Sequence, residues 1–381
     1  MIVRFGAVFP ISGVLALPLS YVISKKGQDK TKLAWVVIVW IWFLILPLWG
    51  KASGDLPIRH VATMMTSVLA FILPLKITQM IVVSNDKSLD KEKKSIHPNQ
   101  LSWEEGVDFC GNILFYALPI SAVKDRSQSI LIEQNSVTVI ISLIKAFLLQ
   151  FFGLLLVQVA EIEPDPNTRS NLVYMVMLVL MSFTIIASSF ISDLQGVMVN
   201  IVTFGKYEMT RMHNFPFVSK SLRELWGHRY NLLITTLLRD TVYGPCQAYL
   251  GLDRDASSMA VFTVSGLLHS YVSHFTFGYG QGRSLLFFVL QVPWMVWVEP
   301  SFTDLTDNVR RCITLAFFYA TLPLYGGLFV EAMPEWIYKN FNGPIISVVA
   351  TWTDYIAVPL GILSSHETKA LAEAWRMTAM Q

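Results

Sequence analysis

His269 is the residue of this 381-residue chain best placed to do chemistry. It stands thirteenth in the uncharged run 257–277, about 18 Å along a helix from the start of that run. An imidazole of ordinary pKa can take a proton from an alcohol near neutral pH. Ser265, Gly266 and Ser273 share its helical face at spacings of three and four. Two readings of that small, polar face stand side by side. One is close helix packing, which serine and glycine permit and a histidine can join through an interhelical hydrogen bond. The other is a general-base site. His274, five residues on, falls off the face, and the pair lacks both the spacing and the further Cys, His or Glu cluster of a metal site.

Upstream, residues 214–245 form a basic, aromatic-rich segment. Lys220, Arg223, Arg229 and Arg239 have the charge to hold a phosphorylated co-substrate such as coenzyme A; plain contact with lipid headgroups is the alternative. Trp226, Tyr230 and Tyr243 either support that loop or, in the case of Trp226 and Tyr230, anchor it at a membrane interface.

The elements that must position these residues are membrane helices. The chain is 53% hydrophobic and only 15% charged, against about 25% charged in soluble domains. Uncharged runs cover 5–24, 33–49, 172–192, 257–277, 284–298 and 312–330, and three more, 61–83, 137–160 and 343–365, hold one charge each. Lipid offers the backbone no hydrogen-bond partner, so continuous runs of this length are helices rather than barrel strands. An all-α, polytopic fold of about nine transmembrane helices follows, read as one domain over 1–381. No fixed-period repeat interrupts it, and the charged stretch 85–94 reads as a solvated connector.

With the amino terminus lumenal and the carboxyl terminus cytosolic, 21 of the 29 Lys and Arg fall on the cytosolic side, 6 opposite and 2, Lys76 and Lys145, inside spans. The same count makes 109–123 a re-entrant or interfacial element, because a further span there would invert everything downstream. Lys76 and Lys145 are expected to snorkel to the interface. Asp354, in mid-span, is expected to make a polar contact within the bundle. Cys110, Cys246 and Cys312 read as buried thiols, the first run as a retained anchor, and the dispersed charge, net +2, gives no footprint for nucleic acid.

The string Ser221-Leu-Arg-Glu-Leu-Trp-Gly-His-Arg-Tyr-Asn231, the following Leu-Leu-Arg-Asp-Thr-Val-Tyr-Gly-Pro and the downstream Val264-Ser-Gly-Leu-Leu-His269 resemble the wax synthase branch of the membrane-bound O-acyltransferases. The resemblance is most specific over 205–300, the motif-bearing segment. It implies helices around a central tunnel, with His269 as catalytic base and Asn231 as the second polar position. It further implies acyl-CoA as co-substrate with no permanently bound cofactor, a lipophilic alcohol as acceptor, and the endoplasmic reticulum membrane as location. Lys220, Arg223, Trp226, Arg229, Tyr230 and Arg239 would then surround the acyl-CoA. Ser270 and Tyr230 depart from the Glu after the histidine and the Trp before the asparagine that relatives often carry. A sterol or terpenoid acceptor, or a short acyl group such as acetyl, is the alternative within enzymes. A transporter or scaffold is the alternative outside them.

Overall fold

The computed structural model describes residues 16–25, 28–51, 59–82, 120–122 and 128–332, without 164, 166, 206 and 210. Span 343–365 with Asp354, the connector 85–94, Cys110, and the larger parts of 5–24 and 109–123 lie outside the described residues.

Within them the apolar runs are helices. Helix α1 is Asp29–Lys51, α2 Arg59–Val82, α3 Gln128–Ile162, α4 Asn171–Ala187 and α5 Phe190–Val202. The motif-bearing segment adds α6 (Leu222–Glu224), α7 (Leu232–Leu238), α8 (Gly244–Leu250), α9 (Arg254–Thr276), α10 (Gln281–Pro293) and α11 (Asp307–Thr321). One short antiparallel ribbon departs from the all-helical expectation: strand β1, Ile120–Ala122, pairs with β2, Tyr207–Met209, with Ser121 opposite Glu208.

Three helical stretches among the described residues are long and apolar enough to cross a membrane: Leu131–Ala160, Asn171–Val202 and Gln281–Phe302. A fourth candidate is the pair Asp307–Leu324 and Gly326–Ala332, bent by 50°. α3 turns large apolar side chains outward, with Phe147 66% exposed, as a lipid-facing helix does. α9 is long enough, at 23 residues, but is less apolar than these. Ser270 and Ser273 face α10 instead of lipid.

The helices pack as three hairpins, α1 with α2, α3 with α4, and α9 with α10, and α9 also lies against α2. One apolar cluster joins Met177, Leu178, Leu222, Leu225, Phe287, Phe288 and Phe318, and so ties α4, the motif loop, α10 and α11 together. A second joins Phe71 and Leu75 of α2 to Leu237, Leu238 and Leu268. Between them these clusters fix α7, α9 and the loop before α7.

Three expectations are corrected here. Lys76 does not snorkel: its side chain is buried, and its Nζ donates to Gln79 Oε1 at 2.5 Å while Gln79 Nε2 donates to Asp240 Oδ2 at 2.7 Å. Lys145 is bound within the bundle too, donating to Asp193 Oδ2 at 2.5 Å and to Ser189 Oγ at 3.0 Å, with the Asp193 side chain 4% exposed. Lys145 pairs directly with a carboxylate on a neighbouring helix, and at Lys76 Gln79 relays the contact to the Asp240 carboxylate, so neither ammonium need reach water. Cys312 is exposed on α11, and Cys246 is half-buried.

Candidate active site

The polar face of α9 divides its work. Gly266 lets α10 approach so closely that a Cβ there would lie 2.8 Å from Leu285 Cδ1 and 3.2 Å from its Cα. Ser273 and Ser284 share a 2.8 Å hydrogen bond, and Ser270 Oγ donates to the Gln281 carbonyl at 2.6 Å. The packing reading therefore holds for Gly266 and Ser273, and Ser270 packs against α10 as well. Ser270, where relatives often carry Glu, is a clamp between the two helices.

His269 is half-buried on the same face. Its ring stacks on Phe288 of α10 at 4.2 Å between centroids and meets Tyr325 edge-on at 4.8 Å. Its Nδ1 lies 2.7 Å from the Ser265 carbonyl oxygen. A carbonyl can only accept, so Nδ1 carries the proton, and in the neutral ring Nε2 keeps its lone pair. That is the tautomer a general base requires.

The loop before α7 is built from caps and wide turns. Ser221 caps α6 by accepting from the Glu224 N–H at 3.0 Å, and Glu299 Oε2 accepts the Leu222 N–H at 2.9 Å. α6 then widens into a π-helical turn, Leu225–Arg229, closed by the Tyr230 N–H on the Leu225 carbonyl at 2.7 Å. Further π turns lie at Arg239–Tyr243 and Trp294–Val298. Trp226 is no interfacial anchor. It meets Tyr230, Phe262, Phe287, Phe288 and Phe318 within ring-contact distance, and its Nε1 donates to Gln291 Oε1 at 3.2 Å. Tyr230 packs on the same cluster, where burial pushes its phenol up to about 12 and keeps it a neutral donor.

Asn231 holds a left-handed conformation, φ 44°, and caps α7 with Oδ1 accepting from the Ile234 N–H at 3.4 Å. Asparagine tolerates this region better than most residues. Its own N–H donates to Nδ1 of His213 at 3.1 Å. His213 is buried, rings with Tyr230 at 5.0 Å, and is held down to about 4 by burial and then by the nearby Lys145 charge. Sequence reasoning passed over His213, since no motif spacing links it to Asn231 eighteen residues on. It also passed over Phe288 and Tyr325, which look like ordinary apolar positions.

Asn231 and His269 make no direct hydrogen bond. They border one aromatic cluster, connected through Tyr230, Trp226 and Phe288. The four cations expected around a co-substrate each face a carboxylate: Lys220 with Asp307 at 2.5 Å, Arg229 with Glu224 at 2.6 Å, Arg239 with Asp240 at 3.5 Å and Arg223 with Asp255 at 3.9 Å. Burial pushes the Glu224 carboxyl up, but hydrogen bonds from the Lys220 N–H and the Arg229 guanidinium outweigh it and hold the group below the usual carboxylate range. Among the described residues no three His, Cys, Asp or Glu side chains converge as metal ligands do. A small apolar cavity of about 40 Å³ borders Tyr230, Leu225 and Phe318, and a larger one of about 440 Å³, lined by both polar and apolar side chains, lies between α3 and α5. Neither is lined by His269.

The stretch that holds this constellation is also the one with known relatives. Residues 209–290 match the membrane bound O-acyl transferase family. Both Asn231 and His269 fall inside the match, as do Lys220, Arg223, Trp226, Arg229, Tyr230 and Arg239. A "Probable long-chain-alcohol O-fatty-acyltransferase 2" of Arabidopsis thaliana is 39% identical over 71 residues, 17% of this chain and 21% of the relative. An "Acyl-CoA--sterol O-acyltransferase 1" of the same plant is 36% identical over 70 residues, 17% of this chain and 20% of the relative. A "Long-chain-alcohol O-fatty-acyltransferase" of Simmondsia chinensis is 28% identical over 107 residues, 26% of this chain and 30% of the relative. The chain thus matches about a fifth of the length of the Arabidopsis relatives. The resemblance to the wax synthase branch of the O-acyl transferase family holds over that segment.

Proposed function

We propose that this protein is a membrane O-acyltransferase that moves an acyl group from acyl-CoA to the hydroxyl of a lipophilic alcohol, with His269 as general base. The observation that carries the proposal is the 2.7 Å contact of Nδ1 with the Ser265 carbonyl, which leaves Nε2 as acceptor in the segment that matches the family. The alcohol's oxygen attacks the thioester carbonyl while Nε2 takes the hydroxyl proton. Asn231 Nδ2 donates to the oxyanion of the tetrahedral intermediate or holds the acceptor. Collapse breaks the C–S bond, and the thiolate leaves as the free thiol with the proton from the imidazolium. No covalent enzyme intermediate is needed.

Holding two sparingly soluble reactants together lowers the entropic part of the barrier, and the rings of Phe288, Trp226 and Tyr325 keep water from the thioester. The nine-span architecture with a central passage, the endoplasmic reticulum location and the lumenal amino terminus belong to the same reading. The sterol-named relative supports a second acceptor class, a sterol hydroxyl, for the same chemistry.

The test is ester formation by membranes containing the protein, given labelled acyl-CoA with a panel of long-chain alcohols and sterols. Labelled ester is expected with the unsubstituted protein and none with His269→Ala, which should accumulate and insert normally. Turnover retained in that variant removes His269 from the mechanism. Absence of any ester with the unsubstituted protein favours a transporter or scaffold.

A further inference from the structure

α3 and the α4–α5 stretch are antiparallel neighbours, and both exceed a bilayer. Their 35 and 32 residues correspond to about 52 and 48 Å, against a hydrocarbon core of about 30 Å. The end at which Gln128 and Val202 lie therefore reaches the headgroup layer. There the cavity of about 440 Å³ opens between the first turns of α3, one face of α5 and the residues after β2.

Its wall carries opposite charges that do not satisfy each other. Glu133 and Arg211 both line it, both are exposed, and among the described residues neither has an ion-pair partner. Deeper in, Asp193 is held by Lys145. Beside it the Ser192 hydroxyl and the Asn200 Oδ1 are buried with no hydrogen-bond partner among the described residues, and Ser192 as a whole is 7% exposed. Buried polar atoms are normally paired, and these two can donate to or accept from a polar group seated on this wall.

The charges select among occupants. A polyphosphate such as coenzyme A would bring like charge against Glu133 and Asp193, and a neutral polyol would leave Glu133 and Arg211 uncompensated. A group with a phosphate and an ammonium a few ångströms apart satisfies both. No aromatic ring among the described residues lines the cavity. Quaternary ammonium groups are held by aromatic faces, whereas a primary ammonium, with N–H donors, suits the Glu133 carboxylate. At the rim, Val137 runs on into outward apolar side chains, Ile140 and Ile144 on α3 and Met198 and Ile201 on α5, along which acyl chains can lie.

We propose that this cavity binds a phospholipid with a phosphoethanolamine headgroup, its phosphate on Arg211 and its ammonium on Glu133, above the unpaired oxygen atoms of Ser192 and Asn200.

Native mass spectrometry and thermal unfolding of the full chain in detergent test this with four probes: short-chain phosphatidylethanolamine, phosphatidylcholine and phosphatidylglycerol, and glycerophosphoethanolamine alone. Phosphatidylethanolamine should be retained best and raise the unfolding midpoint most. Glu133→Gln should weaken that lipid about tenfold, the loss of one charge-assisted hydrogen bond, and erase its advantage over phosphatidylcholine. Arg211→Gln should weaken both lipids alike. Equal retention of the ethanolamine and choline lipids by the unsubstituted protein overturns the proposal, as does preference for phosphatidylglycerol or an equal effect of the headgroup without chains. Full affinity in Arg211→Gln overturns it as well. The lipid comparison needs no variant, so it decides even where a variant fails to fold.

Discussion

Replacing His213 by Gln should flatten the acid dependence of this protein's stability. The ring is buried, and its Nδ1 accepts the Asn231 N–H, so the neutral tautomer carries its proton on Nε2, which has no hydrogen-bond partner among the described residues. A second proton would set an N–H against the Asn231 N–H and put a cation near Lys145. Burial first and that charge second hold the folded pKa down to about 4, against about 6.5 for an unperturbed histidine. Between those values the unfolded chain binds more protons than the folded one. The contribution is therefore complete above pH 6.5 and is lost as the pH falls towards 4. Linkage puts the loss at about 2 kcal/mol between pH 7 and pH 5, and about 3 kcal/mol by pH 4. Glutamine offers an oxygen acceptor to the same N–H and does not titrate. Reversible denaturant unfolding in mixed micelles at pH 7, 6, 5 and 4 gives both stability curves, and carboxylates that titrate in this range contribute equally to each. Curves converging towards acid by about 3 kcal/mol are expected. Parallel curves would refute the protonation scheme and, with it, the acceptor role of Nδ1.

Asn231→Gly keeps the left-handed conformation and costs the α7 cap only a few tenths of a kcal/mol. A fall in ester formation of about a hundredfold is expected, as for loss of one oxyanion donor; an unchanged rate would leave Asn231 a cap alone. Gly266→Ala brings a Cβ against Leu285 and should cost about 1–3 kcal/mol in unfolding measurements, with loss of activity as α10 and Phe288 shift away from His269. Lys145→Met strands the buried Asp193 and should destabilise by about 3 kcal/mol or more, whereas the double variant with Asp193→Leu should recover most of it. Double-mutant unfolding that shows simple additivity would deny the pairing.

The apolar runs told most of the helices, because in lipid backbone satisfaction leaves a long uncharged stretch no other choice. They said less about where Lys76 and Lys145 end up. Asp193 lies 48 residues from Lys145, and Asp240 lies 161 residues from the Gln79 that links it to Lys76, separations no local pattern encodes. The ribbon between β1 and β2 escaped for the same reason. At the candidate site His269 was legible as a mid-span imidazole, and the small residues around it as a close-packing face. What decides its tautomer, the Ser265 carbonyl one turn back, is a rotamer property invisible in residue types. The dual position of Asn231, cap and neighbour of His213, rests on a positive φ that only coordinates reveal.

The π turns at Leu225–Arg229, Arg239–Tyr243 and Trp294–Val298 have a consequence for how this segment can vary. Each accommodates one residue more than an α-helical turn would, closed by a hydrogen bond between residues five apart. A single-codon loss within Leu225–Arg229 would leave the Tyr230 N–H and the Leu225 carbonyl four apart and remove the wide turn that joins α6 to Tyr230 and Asn231, even if every remaining side chain were kept. Spacing, more than residue identity, is therefore what natural selection and the protein engineer must conserve across this stretch.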